Sequence, residues 1–384
     1  MRQVYLDNAA SSPVDERVLD AMLPYFRLEC GNPSSLHSMG VRAREAVETA
    51  RATLGRCLNA KPEEIVFTSS GTESNNLAIK GYAFANRDRG RHLVVSSIEH
   101  ECVLGSAEWL TGQGFEVTVL DVDNEGLVDP DEFRRNLRPD TILASVMHAN
   151  NEIGTIEPIA ALGALCQERG ICFHTDACQS FGKLPLDVKS LPVDMVTINA
   201  HKLHGPKGVG ALYVRNGVRL GCWQHGGGQE SGLRSATENV PGIVGFAAAA
   251  RLAMEAMPEE MPRLQWLRDK LVASIRDELP CAYLNGSEEQ RLPTNVNFGF
   301  EGFEGQSPNL LLALDGAGIT VSTGSACSAK KSSSHVLRAI GRNPLQAIGA
   351  LRLSLGRFTT EDDIDYFLAA LPEAMRNLKS LRPR

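Results

Sequence analysis

The sequence predicts an α/β fold, on three observations. Short apolar runs recur at 65–68, 93–96, 117–120, 142–146, 171–174 and 195–198. They are apolar on both faces and separated by helix-length segments, the pattern of buried parallel strands. The order then changes near residue 258, where Pro258-Glu259-Glu260-Met261-Pro262 punctuates the chain.

The elements follow in order. The first twelve residues are too irregular to assign from pattern. Residues 40–58 read as an Arg- and Glu-rich amphipathic helix, and 158–169 as a second helix. Beyond the proline punctuation, 263–279 reads as a helix, and the runs at 294–298, 319–322 and 351–355 as strands alternating with helices. A last helix starts at Thr360, with Asp363 three residues on as in a capping box. The expected organisation is a large α/β domain over 13–258 and a smaller α+β domain made of 1–12 and 259–384.

Composition narrows the function classes. With 384 residues, 43% hydrophobic and 22% charged, the chain is long enough to bury a large core and unlike a disordered one. Thirty-nine basic against 46 acidic residues leave a net charge of −7, which argues against general nucleic-acid binding. No apolar run reaches the roughly 18–20 residues of a membrane span, and the start Met1-Arg2-Gln3-Val4-Tyr5-Leu6-Asp7 has no apolar signal core. The expectation is a soluble, cytoplasmic protein with neither nucleic-acid nor membrane partner. The nine cysteines are scattered, odd in number and without a CxxC pair, which argues against a disulfide framework or a zinc module. Most should be small buried hydrophobes, with one or two reactive.

In parallel α/β sheets, ligands bind beyond the carboxyl ends of the strands. Five expected strand ends carry polar or ionisable groups: Ser70-Gly71-Thr72, His100, Asn150-Asn151, Asp176 with Gln179, and Asn199 with His201-Lys202. Each alone reads equally as a cap or turn residue; sharing one sheet, they converge on one cleft. Ser70-Gly71-Thr72 suits a phosphate at a helix N-terminus, or an ordinary N-cap, and matches neither GxGxxG nor a P-loop. Lys202 lies between a buried strand and a glycine-rich turn; burial favours the neutral amine that a Schiff base needs, the alternative being a solvated loop lysine. Lys207, deeper in that turn, competes with it. Asp176 can pair with a cofactor ring nitrogen or cap the following segment, and His174, inside its strand, reads as a satisfied structural histidine.

Three further features stand apart. Cys327 lies in a small, polar loop with Lys330 and Lys331, whose charge lowers a thiol pKa; it is a nucleophile or an incidental loop thiol. Arg352 interrupts an apolar strand and needs an acidic partner or an anionic ligand, a carboxylate above all. His225-Gly226-Gly227-Gly228-Gln229-Glu230, followed by Arg234-Ser235-Ala236-Thr237, is either a site of close backbone approach or a flexible linker.

Taken together, Tyr5-Leu6-Asp7-Asn8-Ala9-Ala10, Gly31-Asn32-Pro33-Ser34-Ser35-Leu36-His37, Ser70 through Ala78, Glu99-His100, Asn150 through Gly154, Asp176-Ala177-Cys178-Gln179, His201-Lys202, His225 through Glu230 and Gly324-Ser325-Ala326-Cys327 resemble the NifS/IscS-type cysteine desulfurases. The resemblance runs in order from residue 4 to about 360. It implies a fold-type I transferase dependent on pyridoxal 5′-phosphate (PLP), with a mostly parallel seven-stranded sheet in the large domain and the catalytic cysteine loop in the small one. Lys202 would hold PLP as a Schiff base, Asp176 pair with its ring nitrogen, and His100 stack on the ring and take part in proton transfer. Gly71, Thr72, Asn199, His201 and, from a second subunit, Thr237 would hold the phosphate. Gln179 would contact the phenolic oxygen, Asn151 the cofactor and substrate, and Arg352 the carboxylate of L-cysteine.

Cys327 would take the sulfur as a persulfide, release L-alanine, and pass the sulfur to an acceptor such as an iron–sulfur scaffold or a tRNA-thiolation or sulfur-carrier protein. A homodimer with shared sites is implied. The chain departs from the family pattern at Asn199, where many members have serine, and in the more basic loop after Cys327. Selenocysteine lyase and cysteine or cystine C–S lyase are alternatives on the same fold, and a catalytically silent scaffold is one of another class.

Overall fold

The computed structural model describes residues 2–324 and 333–380. A short strand β1 (Val4–Tyr5) precedes the helices α1 (Glu16–Arg27) and α2 (Ser38–Leu58). Asp15 caps α1 by accepting from the Arg17 amide, and Asn59 closes α2 in the left-handed conformation, φ 56°. The central sheet is built from β2 (Ile65–Thr68), β3 (His92–Ser96), β4 (Glu116–Leu120), β5 (Thr141–Ser145), β6 (Cys172–Asp176), β7 (Met195–Asn199) and β8 (Gly210–Val214). Their order is β2-β8-β7-β6-β5-β3-β4.

Strands β3 to β7 run parallel, as their patterns predict. Strand β8, absent from the six runs the sequence marks, is antiparallel to both neighbours. The link from Asn199 to Gly210 is too short for a crossover, so the chain turns back beside β7. Alternate side chains of β3 enter different cores, Val94 one and Leu93 with Val95 the other, which is why the run reads apolar on both faces. Strand β4 corrects that expectation: it is the edge, and Val119 is 52% exposed.

Between the strands lie α3 (Gly71–Asn76), continued by a π turn (Leu77–Gly81) into α4 (Tyr82–Ala85), then α5 (Glu101–Thr111), α6 (Pro130–Asn136) and α7 (Ile159–Glu168). Next comes α8 (Val240–Glu278), which corrects the reading of 258–262 as a break. Pro258 and Pro262 both lie inside this one helix. Each removes a backbone donor and disfavours the helix by about 3 kcal/mol, so packing must hold it together. Ile243, Phe246 and Ala250 enter the main core, and Leu264, Leu267, Leu271 and Ile275 enter a second one. Helix α8 also carries the one stretch among the described residues apolar enough, by length and composition, to cross a membrane. Here that apolarity serves the cores, and the expectation that no such run exists is corrected.

The second core gathers β9 (Ala282–Leu284), β10 (Asn295–Phe300), α9 (Ser307–Gly316), β11 (Ile319–Thr320), β12 (Leu351–Ser354) and α12 (Glu361–Ser380). Helices α10 (His335–Ala339) and α11 (Pro344–Ile348) enter a smaller cluster with Ile98, Met147 and Ile153. Strands β12-β10-β9 form an antiparallel sheet. Strand β1 pairs with β11, and Val4 and Leu6 enter this core, so the irregular N-terminus packs with the C-terminal elements. The expected capping box is present: the Thr360 amide donates to Asp363 Oδ2 at 3.0 Å, and the Asp363 amide to Thr360 Oγ1 at 3.2 Å.

Candidate active site

Parallel strands end on the same side of a sheet, and here their ends open into a cavity of about 250 Å³. Gly71, Thr72, His100, Asn151, Asp176, Asn199, His201, Lys202 and Arg352 all line it. Lys202 is half-buried, whereas its competitor Lys207 is exposed. His174 is the structural histidine expected, held between Ser145 Oγ at 2.8 Å and Thr197 Oγ1 at 3.0 Å.

Asp176 ends β6 fully inside the protein. Burial pushes its carboxyl up, but the Cys178 amide on Oδ1 at 2.9 Å and Asn75 Nδ2 on Oδ2 at 2.6 Å hold it below its ordinary value. An ionised carboxylate is thereby kept in a buried site. His201 is pushed down to about 4 by burial and by the charges of Lys202 and Lys207. Burial and Lys202 also lower the His100 pKa. Both imidazoles are therefore neutral at pH 7.

Arg352 is 1% exposed and has the acidic partner that its place in an apolar strand requires. One guanidinium nitrogen reaches Asp7 Oδ1 at 2.8 Å, and a second the Asn151 carbonyl at 3.0 Å. Its Nε is buried without a partner, an unused donor at the cavity wall. Replacing Arg352 with methionine is expected to lower kcat/KM for L-cysteine by roughly 10- to 100-fold, the size of one or two charge-assisted hydrogen bonds. Steady-state kinetics with L-cysteine check this.

Two expected residues, Gln179 and Thr237, are not among those lining the cavity. Gln179 is buried but not at the cavity wall; its Nε2 donates to the Ala9 carbonyl at 3.0 Å and so holds the segment whose Ala9 and Ala10 line the site. The expected contact of Gln179 with the phenolic oxygen comes from the family resemblance; the contact that the structure shows for its amide nitrogen is the one to Ala9. Thr237 is exposed and does not line its own chain's cavity. Cys327 lies outside the described residues. The eight described cysteines are all unpaired; three are buried, four half-buried and one exposed, so fewer are core residues than expected.

The glycine-rich loop is no free linker. Glu230 is buried, pairs with Arg51 at 2.7 Å and accepts the Phe67 amide at 2.8 Å, while Arg234 pairs with Glu73 at 2.6 Å. Sequence reasoning missed Asn75, Asp7 and Cys102. Asn75 sits inside the quoted Ser70–Ala78 motif and Cys102 two residues past His100, but their partners Asp176 and His100 are set by the fold.

The donor set fits PLP. Asn199 lines the cavity with Asp176, and its Oδ1 is a buried acceptor without a partner. A Cβ on Gly71 would meet Cys178 Sγ at 2.6 Å, so only glycine keeps the helix opening this close to β6 and β7. The start of α3 offers amides suited to a phosphate, and Lys202 an amine.

Residues 4–367 match the model of the family described as aminotransferase class-V. The cysteine desulfurase IscS of Methanosarcina thermophila is 50% identical over 383 residues, covering 100% of this chain and 94% of its own. A solved structure of a NifS-like protein superposes with a TM-score of 0.91 at 39% identity, covering 99% of this chain and 100% of that one. A structure titled SspA in complex with cysteine does so with a TM-score of 0.82 at 39% identity, over 93% of this chain and 100% of that one. The chain belongs to the class-V aminotransferase family, whose fold and PLP chemistry it has. Within that family it is a cysteine desulfurase, an enzyme that takes sulfur from L-cysteine and transfers it.

Proposed function

We propose that the described cavity and Cys327 divide the desulfurase reaction among named residues. Bound PLP supplies the electron sink that makes the substrate's α-proton acidic. Lys202 holds the cofactor and, when its amine is free, takes that proton. Asp176 stays ionised for the ring nitrogen; Gly71, Thr72, Asn199 and His201 hold the phosphate; His100 assists proton transfer. Arg352 and Asn151 orient the substrate carboxylate. The Cys327 thiolate attacks the substrate sulfur, an S–S bond forms as the C–S bond breaks, and the carbon fragment gains a proton and leaves as L-alanine. The observation that carries this reading is the convergence of Lys202, Asp176 and Arg352 on one cavity.

The finer reading extends to assembly. Residues 13–258 form the cofactor-holding domain, and 1–12 with 259–384 the smaller domain carrying Cys327. Thr237, exposed and three residues after Arg234, which pairs with Glu73 of α3, reaches the phosphate of a second copy in a homodimer. The persulfide passes, in the cytoplasm, to a protein acceptor of the iron–sulfur scaffold, tRNA-thiolation or sulfur-carrier kind. The test uses the holoenzyme with L-cysteine and a reductant, measuring alanine and sulfide together. Equal amounts are expected; pyruvate in place of alanine would move the chemistry to a C–S lyase.

A further inference from the structure

One ring nitrogen of His100 is committed to the protein. His100 caps α5, and its Nδ1 lies 3.2 Å from the backbone amide of Cys102. A backbone amide only donates, so Nδ1 carries no proton and the neutral ring holds its hydrogen on Nε2. The Cys102 Sγ is 3.0 Å from the same Nδ1, so the thiol donates to it as well. That sulfur accepts from Asn75 Nδ2 at 3.1 Å, and the same nitrogen donates to Asp176 Oδ2 at 2.6 Å. Both hydrogens of the Asn75 amide are thus engaged, while its Oδ1 is buried without a partner. All four residues line the cavity.

We propose that Cys102 is a positioning residue: with Asn75 it links the Asp176 carboxylate to the His100 ring and locks the tautomer that presents Nε2–H. This rests on the reading of His100 as a proton-transfer group and narrows it. His100 is a hydrogen-bond donor to the reacting groups, and the base is left to Lys202. Protonating Nδ1 would set it against two donors, the Cys102 amide and thiol, so the network opposes the imidazolium. The other groups acting on His100 are Lys202, Asp176, Glu101 and His335, with buried Glu99 beside it in the chain.

The test is nitrogen NMR of the holoenzyme labelled in its histidine rings and titrated with pH, alongside the pH profile of kcat/KM. In the wild type, Nδ1 of His100 is expected to give a pyridine-type signal at neutral pH and Nε2 a protonated one. Cys102→Ala removes one of the two donors and is expected to raise the His100 midpoint by roughly half a unit to one unit, moving the acid limb of the rate profile the same way. Cys102→Ser, whose hydroxyl still donates, is expected to return both toward wild type. A proton on Nδ1 in the wild type overturns the proposal without any variant, and so does a midpoint that Cys102→Ala leaves unchanged or lowers. The ring signals are read without turnover, so such a result with alanine still formed overturns the lock alone and leaves the desulfurase reading standing.

Discussion

Replacing Lys202 with alanine is expected to lower the rate of alanine formation by roughly 10²- to 10⁴-fold, the range of a lost acid–base group, and to abolish the Schiff-base absorbance of the holoenzyme. Among the described residues, Lys202 is the lysine that lines the cavity. Another half-buried lysine is Lys183, pushed down to about 7 by burial and by the charge of Lys202. It is absent from the cavity wall and shares with Lys202 a separate small void beside Glu260 and Arg357. Lys207 is exposed. No second described amine is placed to take over, so both readouts should fail together. A variant that keeps the absorbance band would show that another lysine holds the cofactor.

Cys327→Ala is expected to stop alanine and sulfide formation, by on the order of 10³-fold or more as for a removed nucleophile, while the cofactor spectrum persists. Two described thiols, Cys102 and Cys178, line the cavity. Burial, with the negative charge of Asp176, pushes Cys102 up to about 12. Cys178 is raised well above the ordinary thiol range, chiefly by burial. Both are therefore thiols rather than thiolates at neutral pH and poor nucleophiles. The chain on either side of 325–332 is held close to the site. Ser322 exchanges backbone hydrogen bonds with Arg352 at 3.1 and 2.7 Å, and Ser334 donates to Glu152, the neighbour of Asn151, at 2.5 Å. Parallel assays of alanine and sulfide on wild type and variant check the prediction.

What could be read from the sequence follows what is local. The parallel strands of the large sheet announced themselves because the sheet is covered on both faces, and the polar groups at their ends could be named because strand direction puts them on one side. Lys202, Asp176 and Arg352 were legible for the same reason: an ionisable residue at the end of, or inside, an apolar strand has few alternatives. Features that depend on distant contacts were not. Helix α8 reads as broken at Pro258 and Pro262, and it stays whole only because its two halves are seated in different cores. Asp7 meets Arg352 across 345 positions of sequence, and Asn75 meets Asp176 across 101. Gln179 sits three residues from Asp176, yet the turn directs it to the Ala9 carbonyl. Local pattern singles out Lys202, Asp176 and Arg352, and only the fold says what they touch.

The measurement that tests the account most directly is a single turnover of the holoenzyme with L-cysteine and no acceptor, quenched and mapped for the cysteine that gained a sulfur atom. The account predicts the added sulfur on Cys327 alone among the nine cysteines, in an amount matching the alanine released. Added sulfur on Cys102 or Cys178, or alanine formed by the Cys327→Ala variant, would contradict it.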